Sequence, residues 1–518
     1  MLLRQIQQSA RVLRRVPSLT ATSILTVALG VGAGTAMFSV VKAVLLNPLP
    51  YVESGRIAWL AEVSDSGNQS SIAFQNFLDW RDQNHSFSSL AAYGGGPTTV
   101  SFHDVPQSTN VAIVSDDFFT VMGTSAARGR IFSAAEQVQG AAHTAVIGHG
   151  LWQRVFDGDP AVIGRSFRIA GVEATVIGIM PAGFSYPDTA EVWMPLASFG
   201  DPGRNVRASH YWRSVGRLRP GITWEQAQTD ISTIERRIKR EYPSPFQSKD
   251  AAVMPLRDHI VGEVREPLIL LFGAVGFLLL IVCVNVANLL LVRVAARTRE
   301  LGVRTALGAS RHHLIRQMLT ESMLQAFAGG LLGMILASWS MELLRIQLPA
   351  ELPRIADIRI DAGVAFFALA ISALAGLLFG VLPAWRASAL NVNEALKSSS
   401  RSSAGGKQMK RMQAALVVSE VCLSLVLVTG AGLLIRSFAN LRSIDPGFRS
   451  DHVLTLSTSL APQPGMVAKY RDLLSRVAAV PGVEVTSITR SLPVAGPLND
   501  GHFFIDGRRD EAADAGYA

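Results

Sequence analysis

Long apolar runs dominate the pattern of this sequence. Five stretches stay apolar for about 20 residues each, the length that an α-helix needs to cross roughly 30 Å of hydrocarbon at about 1.5 Å per residue. They are residues 20–41, 268–292, 323–344, 364–382 and 414–435. A buried core helix is the alternative for any one of them, but core helices seldom reach this length without a charge. The pattern predicts an α-helical polytopic membrane protein with about five transmembrane helices.

Lysines and arginines beside these runs predict the orientation, because positive residues are retained on the cytoplasmic side of a membrane. Arg11, Arg14 and Arg15 precede the first run, and basic clusters follow the second run and the fourth. These three regions are therefore predicted to be cytoplasmic. The first run can also be read as a cleaved signal peptide, but its length favours an uncleaved signal anchor.

The runs and the charges together predict the organisation of the chain. In order, it comprises a cytoplasmic N-terminus (1–18), a first transmembrane helix (19–45), an extracytoplasmic domain (46–264), a second transmembrane helix (265–293), a cytoplasmic helical region (294–318), a third transmembrane helix (319–345), an outer loop (346–361), a fourth transmembrane helix (362–385), a cytoplasmic linker (386–412), a fifth transmembrane helix (413–436) and the start of a second extracytoplasmic domain (437–518). Within the linker, residues 398–406 have the composition of a flexible polar segment. The Gly-Ala-Gly of residues 32–34 recurs at 430–432, which suggests an internal duplication.

The large outer segment has the patterns of a mixed α+β domain. Two β-rich arms flank Ala170 and Gly171, which predicts a hairpin. Thr223 and Gln226 form a capping-box pattern before a helix with isoleucines at helical spacing. Six aromatic residues can be read as a ligand-binding set, but scattered aromatics are more typical of a hydrophobic core. They are Trp80, Phe87, Phe118, Phe119, Trp152 and Trp193.

Composition agrees with a membrane protein. Of the 518 residues, 17% are charged and 49% hydrophobic, and the mean hydropathy of +0.28 is too high for an ordinary soluble chain. The net charge of +8 is compatible with nucleic-acid binding, but the basic residues cluster beside the apolar runs, so membrane lipid rather than nucleic acid is the expected partner. Both cysteines, Cys283 and Cys422, lie in apolar runs, so the outer domain must fold without disulfides.

The sequence predicts no catalytic, cofactor or metal site. Ser39 and Lys42 match an S-x-x-K spacing without its partner motifs, which indicates coincidence. Glu420 lies inside the fifth run, where it can relay protons or serve packing near the inner face. Two small-x-x-x-small pairs predict close helix packing. They are Gly329 with Gly333 and Gly376 with Gly380.

The most specific sequence is the cytoplasmic stretch 297–323, RTRELGVRTALGASRHHLIRQMLTESM. From Glu300 to Ala309 it closely resembles the E-[IL]-G-[IV]-R-x-A-L-G-A signature of MacB/FtsX-type ABC transporter permeases. The segment GVLPAWRASALNVNEALK, at 380–397, is similar to the companion pattern of that family, and the outer segment resembles its extracytoplasmic domain. The resemblance assigns ATPase coupling to Glu300, Gly302, Arg304, Ala306, Leu307, Gly308 and Ala309. A membrane-surface helix held by anionic lipid is the alternative for this stretch.

Within the family, the chain is most similar to duplicated permeases, in which a span, an outer domain and three further spans occur twice. Its second copy stops at Ala518, which predicts a fragment or a truncated product. The fused ATPase domain of MacB is missing, so the resemblance implies a separate cytoplasmic ABC ATPase subunit as partner, with no enzymatic activity in this chain. A bacterial cytoplasmic membrane is the expected location.

These observations favour a permease that couples ATP hydrolysis to motion of extracytoplasmic domains, for export or extraction of an amphipathic substrate. The alternative is a mechanotransmitting regulator or sensor that controls an extracytoplasmic hydrolase without transport. Substrate-dependent efflux from vesicles would separate the two. An outer enzyme is disfavoured, because no nucleophile and base can be proposed. A second permease copy or an outer protein is a further possible partner.

Overall fold

A computed structural model describes most of the chain. It covers residues 9, 11, 13, 16–64, 67–102, 105–198, 202–243, 248–296, 311–347, 358–388, 404–445, 451–456 and 465–489. The chain divides into two compact units, a membrane unit of Met1–Asn47 with Ile260–Ile444 and an outer unit of Pro48–His259 with Asp445–Ala518.

The membrane unit is built from long helices. They are α1 (Pro17–Val41), α6 (Leu256–Ala296), α7 (Arg311–Gln347), α8 (Ala362–Ser388) and α9 (Ala404–Ser443). Within the described ranges, five helical stretches are long and apolar enough to cross a membrane, namely Pro17–Leu46, Val264–Arg293, Ile315–Leu343, Ala362–Val381 and Lys410–Ser443. This confirms the predicted fold class of about five transmembrane helices with a mixed α and β outer domain.

Four of these helices share one apolar core. Val27 and Val31 of α1 pack with Val282 and Val286 of α6, and α7 and α8 add Ala326 and Phe379 among others. Pro17 stands at the first turn of α1, where its missing N–H costs no hydrogen bond. By contrast, none of the residues in the apolar stretch of α9 is buried.

Two helices extend beyond the membrane spans that the sequence predicts. Helix α6 begins at Leu256, ahead of the predicted start at 265, and α9 begins at Ala404, so residues 404–406 of the predicted flexible segment are helical. Hydropathy detects only the apolar part of a helix, whereas backbone hydrogen bonding continues into polar flanks. Residues 398–403 lie outside the described ranges.

The outer unit is organised around a 12-stranded sheet in which nine strands follow the order β12-β1-β11-β4-β5-β10-β7-β9-β6. Off this path, β2 pairs with β1, β3 with β11, and β8 with β4 and β9. Its strands are β1 (Ile57–Val63), β2 (Gln69–Ser70), β3 (Ile72–Ala73), β4 (Phe87–Phe102), β5 (Val105–Val114), β6 (Arg128–Gly129), β7 (Thr144–Ile147), β8 (Ser166–Ile169), β9 (Val172–Ile179), β10 (Val192–Pro195), β11 (His210–Leu218) and β12 (Asp250–Pro255). The helices are α2 (Phe74–Gln83), α3 (Phe118–Met122), α4 (His149–Phe156), α5 (Trp224–Glu241) and, after the fifth span, α10 (Met466–Ala478). Strands β5 with β10 and β7 with β9 pair in parallel, and the other pairs are antiparallel.

The local predictions for this unit are confirmed. Strands β8 and β9 form the hairpin, with Ala170 and Gly171 both at positive φ in the turn. Thr223 and Gln226 cap α5 reciprocally. All six aromatic residues are buried, which supports the core interpretation. Trp80 and Phe87 lie in one hydrophobic core with residues of α5, and Trp152 lies in a second core with residues of β9.

Candidate functional site

The sequence-predicted coupling residues lie between α6 and α7. Glu300, Gly302, Arg304, Ala306, Leu307, Gly308 and Ala309 are all outside the described residues. The structure describes the helix on either side of them: α6 ends at Ala296 and α7 begins at Arg311. These two helices therefore connect the signature to the rest of the membrane unit.

A buried ion pair joins the two helices beside the signature. The Arg293 guanidinium lies 4.0 Å from the Glu321 carboxylate, and only 8% of each side chain is exposed. Gln317, one turn earlier on α7, donates a hydrogen bond of 3.2 Å to Glu321. Opposite charges with this burial hold each other strongly in place, because separating them would leave an uncompensated charge. The sequence reasoning missed this pair, although a carboxylate at the start of an apolar run was a usable signal.

Glycines on α7 let helix α1 approach to backbone contact. A Cβ atom on Gly333 would stand 2.8 Å from the Ala28 carbonyl oxygen and 2.9 Å from the Gly32 nitrogen. One at Gly329 would stand 2.7 Å from Val27. Because the opposing atoms at Gly333 are backbone, no side-chain rotation can relieve the overlap.

The other glycine pair lies on α8 and faces α7. A Cβ atom on Gly376 would stand 2.9 Å from the Ala326 Cβ, and one on Gly380 would overlap the Ser322 hydroxyl. Gly330 of α7 is packed in the same way against Ser372 of α8. Helix α7 is therefore held tightly by α1 through one set of small residues and by α8 through another.

A second ion pair lies at the outer end of the membrane unit. The Lys42 ammonium donates to both oxygens of Asp361, at 2.7 and 2.6 Å, and Asp361 also accepts from the Val364 backbone N–H at the start of α8. The hydrogen bond from Lys42 lowers the pKa of Asp361, with help from Val364. Ser39 instead donates to the Thr35 carbonyl, so the S-x-x-K spacing brings no nucleophile to Lys42.

Glu420 lies on α9 and is half-buried. One turn earlier on α9, the partly buried Leu416 packs against the apolar core shared by the other four helices. Its assignment to proton relay or to packing stays a prediction.

The outer unit contains a buried ionisable network. Glu62 of β1 is completely buried and accepts hydrogen bonds from the Ala73 N–H and the Asn76 amide, while His210 lies 2.8 Å from its second oxygen. Arg207 donates to Asn76 at 2.6 Å and pairs with Asp79 at 2.7 Å. Within the described part of the chain, no three His, Cys, Asp or Glu side chains are placed to hold a metal ion.

The pKa values of His210 and His259 in this unit are shifted in opposite directions. Burial by itself lowers the pKa of His210, but its hydrogen bond and charge interaction with Glu62 raise the pKa above the ordinary value. His259 stacks on Trp59 with ring centroids 3.8 Å apart. Burial, with the nearby charge of Arg213, lowers the pKa of His259 to about 4.

Two known protein families match this chain. The family described as MacB-like periplasmic core domain matches residues 20–234, and the family described as FtsX-like permease C-terminal matches residues 272–392. The macrolide export ATP-binding/permease protein MacB of Chromobacterium violaceum is 30% identical over 304 residues, which are 57% of this chain and 44% of that protein. The MacB protein of Salmonella paratyphi A is 27% identical over 306 residues, with the same shares of 57% and 44%. The match thus spans less than half the length of these relatives.

The structural alignment with the solved periplasmic region of MacB from Actinobacillus actinomycetemcomitans covers 41% of this chain and 94% of the solved chain. Its TM-score is 0.31 and the sequence identity is 11%.

Proposed function

Because this chain belongs to the family of MacB/FtsX-type ABC transporter permeases, we propose that it transmits force from a separate cytoplasmic ABC ATPase to an extracytoplasmic domain. The work done there is export or extraction of an amphipathic substrate. The signature from Glu300 to Ala309 is the surface on which the ATPase docks.

The packing of α7 is the observation that carries this proposal. The helix follows directly on the signature, and at Gly333 it meets α1 backbone to backbone. Packed interfaces of this kind do not deform continuously, so a displacement at the start of α7 moves its neighbours as well. The Arg293–Glu321 pair adds α6 to the same moving group.

Two substitutions in the signature test the docking surface. Arg304→Glu and Gly302→Leu should each weaken co-purification of the ATPase about tenfold or more, as loss of a central interface contact does. Each should also reduce stimulated ATP hydrolysis, with the permease still folded and inserted. The measurements are ATPase retained on purified permease and its hydrolysis rate.

Arg297→Glu is the matched control, since it reverses a charge in the same basic stretch outside the signature. A helix held only by anionic lipid would respond alike to Arg304→Glu and Arg297→Glu and little to Gly302→Leu. That pattern, or normal binding in both signature variants, would remove the docking assignment.

The proposed orientation in a bacterial cytoplasmic membrane makes a labelling prediction. With Cys283 and Cys422 replaced, a cysteine at Gln137 should react with an impermeant maleimide added outside cells. A cysteine at Ser402 should react only after the membrane is opened, because positive residues keep that loop inside. The reverse labelling pattern would invert the proposed topology.

A further inference from the structure

The contact between Lys42 and Asp361 is built from more than two charges. The Asp361 carboxylate accepts hydrogen bonds both from the Lys42 ammonium and from the backbone N–H of Val364 at the start of α8. Gly363 leaves room for the ammonium, because a Cβ atom there would overlap the Lys42 Nζ. The charge of Lys42 is thus held at the N-terminal end of α8 by a carboxylate that also caps that helix.

Apolar contacts support this end of the two helices. One turn before Lys42, the ring of Phe38 stacks on Phe367 of α8 with centroids 3.9 Å apart and planes 10° from parallel. Ala43, one residue after Lys42, packs with Met341 and Ile358. Apolar contacts on both sides of the ion pair therefore help to fix the positions of Lys42 and Asp361.

Lys42 lies close to the point where the chain leaves the membrane unit. Lys42 begins a π-helical turn, Lys42–Leu46, that ends α1, and the first segment of the membrane unit ends at Asn47. Asp361 immediately precedes α8, which packs along α7 through Gly376 and Gly380. The ion pair is the polar link between the start of α8 and the turn through which the chain leaves the membrane unit.

We propose that Lys42 and Asp361 are positioning residues that deliver a displacement of the α7–α8 pair to the exit turn Lys42–Leu46. This inference rests on the proposed force-transmitting function and names the outer end of the path. Lys42 acts through Asp361 and the cap of α8, and it has no chemical role of its own. Static bracing of α1 is the competing explanation, and it would make Lys42 matter equally whether or not α8 moves.

A double-mutant cycle on the full chain in lipid nanodiscs tests the proposal without any ATPase. Gly376→Ala shifts α8 on α7, because its Cβ would stand 2.9 Å from Ala326. Lys42→Met keeps the side-chain stem and removes the charge. Hydrogen exchange of residues 43–47 is measured in the wild type, each single variant and the double variant.

Gly376→Ala should speed exchange at 43–47 by about tenfold when Lys42 is present, and should have no further effect in Lys42→Met. Lys42→Arg, which retains the charge, should restore the response. Arg359→Met is the matched control, since it removes an exposed charge two residues from Asp361 and should leave the response intact. If Gly376→Ala does not insert, Gly380→Ala replaces it, because its opposing atoms are the side chain of Ser322.

An equal fold-change in the Lys42 and Lys42→Met backgrounds would show static bracing and overturn the proposal. No response at 43–47 in any background would overturn it as well. Failure of the proposed function is seen separately, as absence of ATPase binding to the wild-type chain, and leaves the outcome of this cycle unaffected.

Discussion

Gly333→Ala should destabilise the membrane unit, whereas the same substitution at Gly276 should leave it unchanged or stabilise it. The added Cβ at Gly333 meets two backbone atoms of α1 at less than 3 Å, so α1 and α7 must separate. Overpacking of this kind costs about 1–3 kcal/mol. At Gly276 of α6 nothing lies within 4 Å of the new Cβ, and alanine is favoured over glycine inside a helix by about 1 kcal/mol.

Gly333→Ala is expected to lower the stability of the membrane unit and Gly276→Ala is not, so the two variants can be compared directly. The apparent melting midpoint of the full chain is measured in one detergent for the wild type and both variants, together with its retention as a single species in gel filtration. Equal midpoints for the two variants would mean that α1 and α7 do not pack through Gly333. The close-contact basis of the proposed force path would then be lost.

His210→Gln should loosen the outer unit near β1, α2 and β11, most strongly below neutral pH. The substitution removes the cation opposite the buried Glu62 carboxylate. Leaving a buried charge without its partner costs about 3–5 kcal/mol. Hydrogen exchange in residues 72–83 and 210–218 of the full chain should accelerate by about a hundredfold or more at pH 6.

The pH dependence follows from the charges that surround His210. Glu62 on β1 and Glu235 on α5 favour the protonated ring, while Arg207 pairs with Asp79 beside it. Since folding raises the pKa of His210, its stabilisation is fully present below pH 6.5 and is lost as the pH rises through the folded-state pKa. Comparing variant and wild type at each pH cancels the intrinsic pH dependence of exchange.

The difference between His210→Gln and wild type should therefore shrink as the pH rises above 6.5. His259 contributes in the other direction and in another window, because its lowered pKa costs stability as the pH falls from 6.5 towards about 4. His259→Gln thus serves as the matched control: loss of the stack on Trp59 acts at every pH, and the pH-dependent part of its effect is confined to the acid side. A difference for His210→Gln that is constant across pH 5 to 9 would contradict an ion pair with Glu62.

Local rules account for what the sequence predicted well. A membrane-spanning helix satisfies its own backbone and needs only an apolar run of sufficient length, so the five spans were visible without any knowledge of their neighbours. The Ala170–Gly171 hairpin and the Thr223–Gln226 cap involve residues within a few positions of each other, and both formed as predicted. Glycine spacing likewise indicated where helices pack closely.

Partner identity could not be obtained in this way. The spacing of Gly329 and Gly333 says that some helix comes close, and only the fold selects α1 for them and α7 for Gly376 and Gly380. The extension of α6 to Leu256 and of α9 to Ala404 was not visible either, because polar flanks carry no hydropathy signal although their backbone is helical.

By itself, the sequence determined that this chain crosses the membrane several times, carries a large α and β outer domain and bears the permease signature, since each depends on residues close together in the chain. Tertiary structure alone decided that Lys42 meets Asp361, 319 residues away, that Arg293 meets Glu321 and that Glu62 meets His210. A charge in a sequence shows only that it needs a partner, whereas the folding of the chain through space decides which partner it meets.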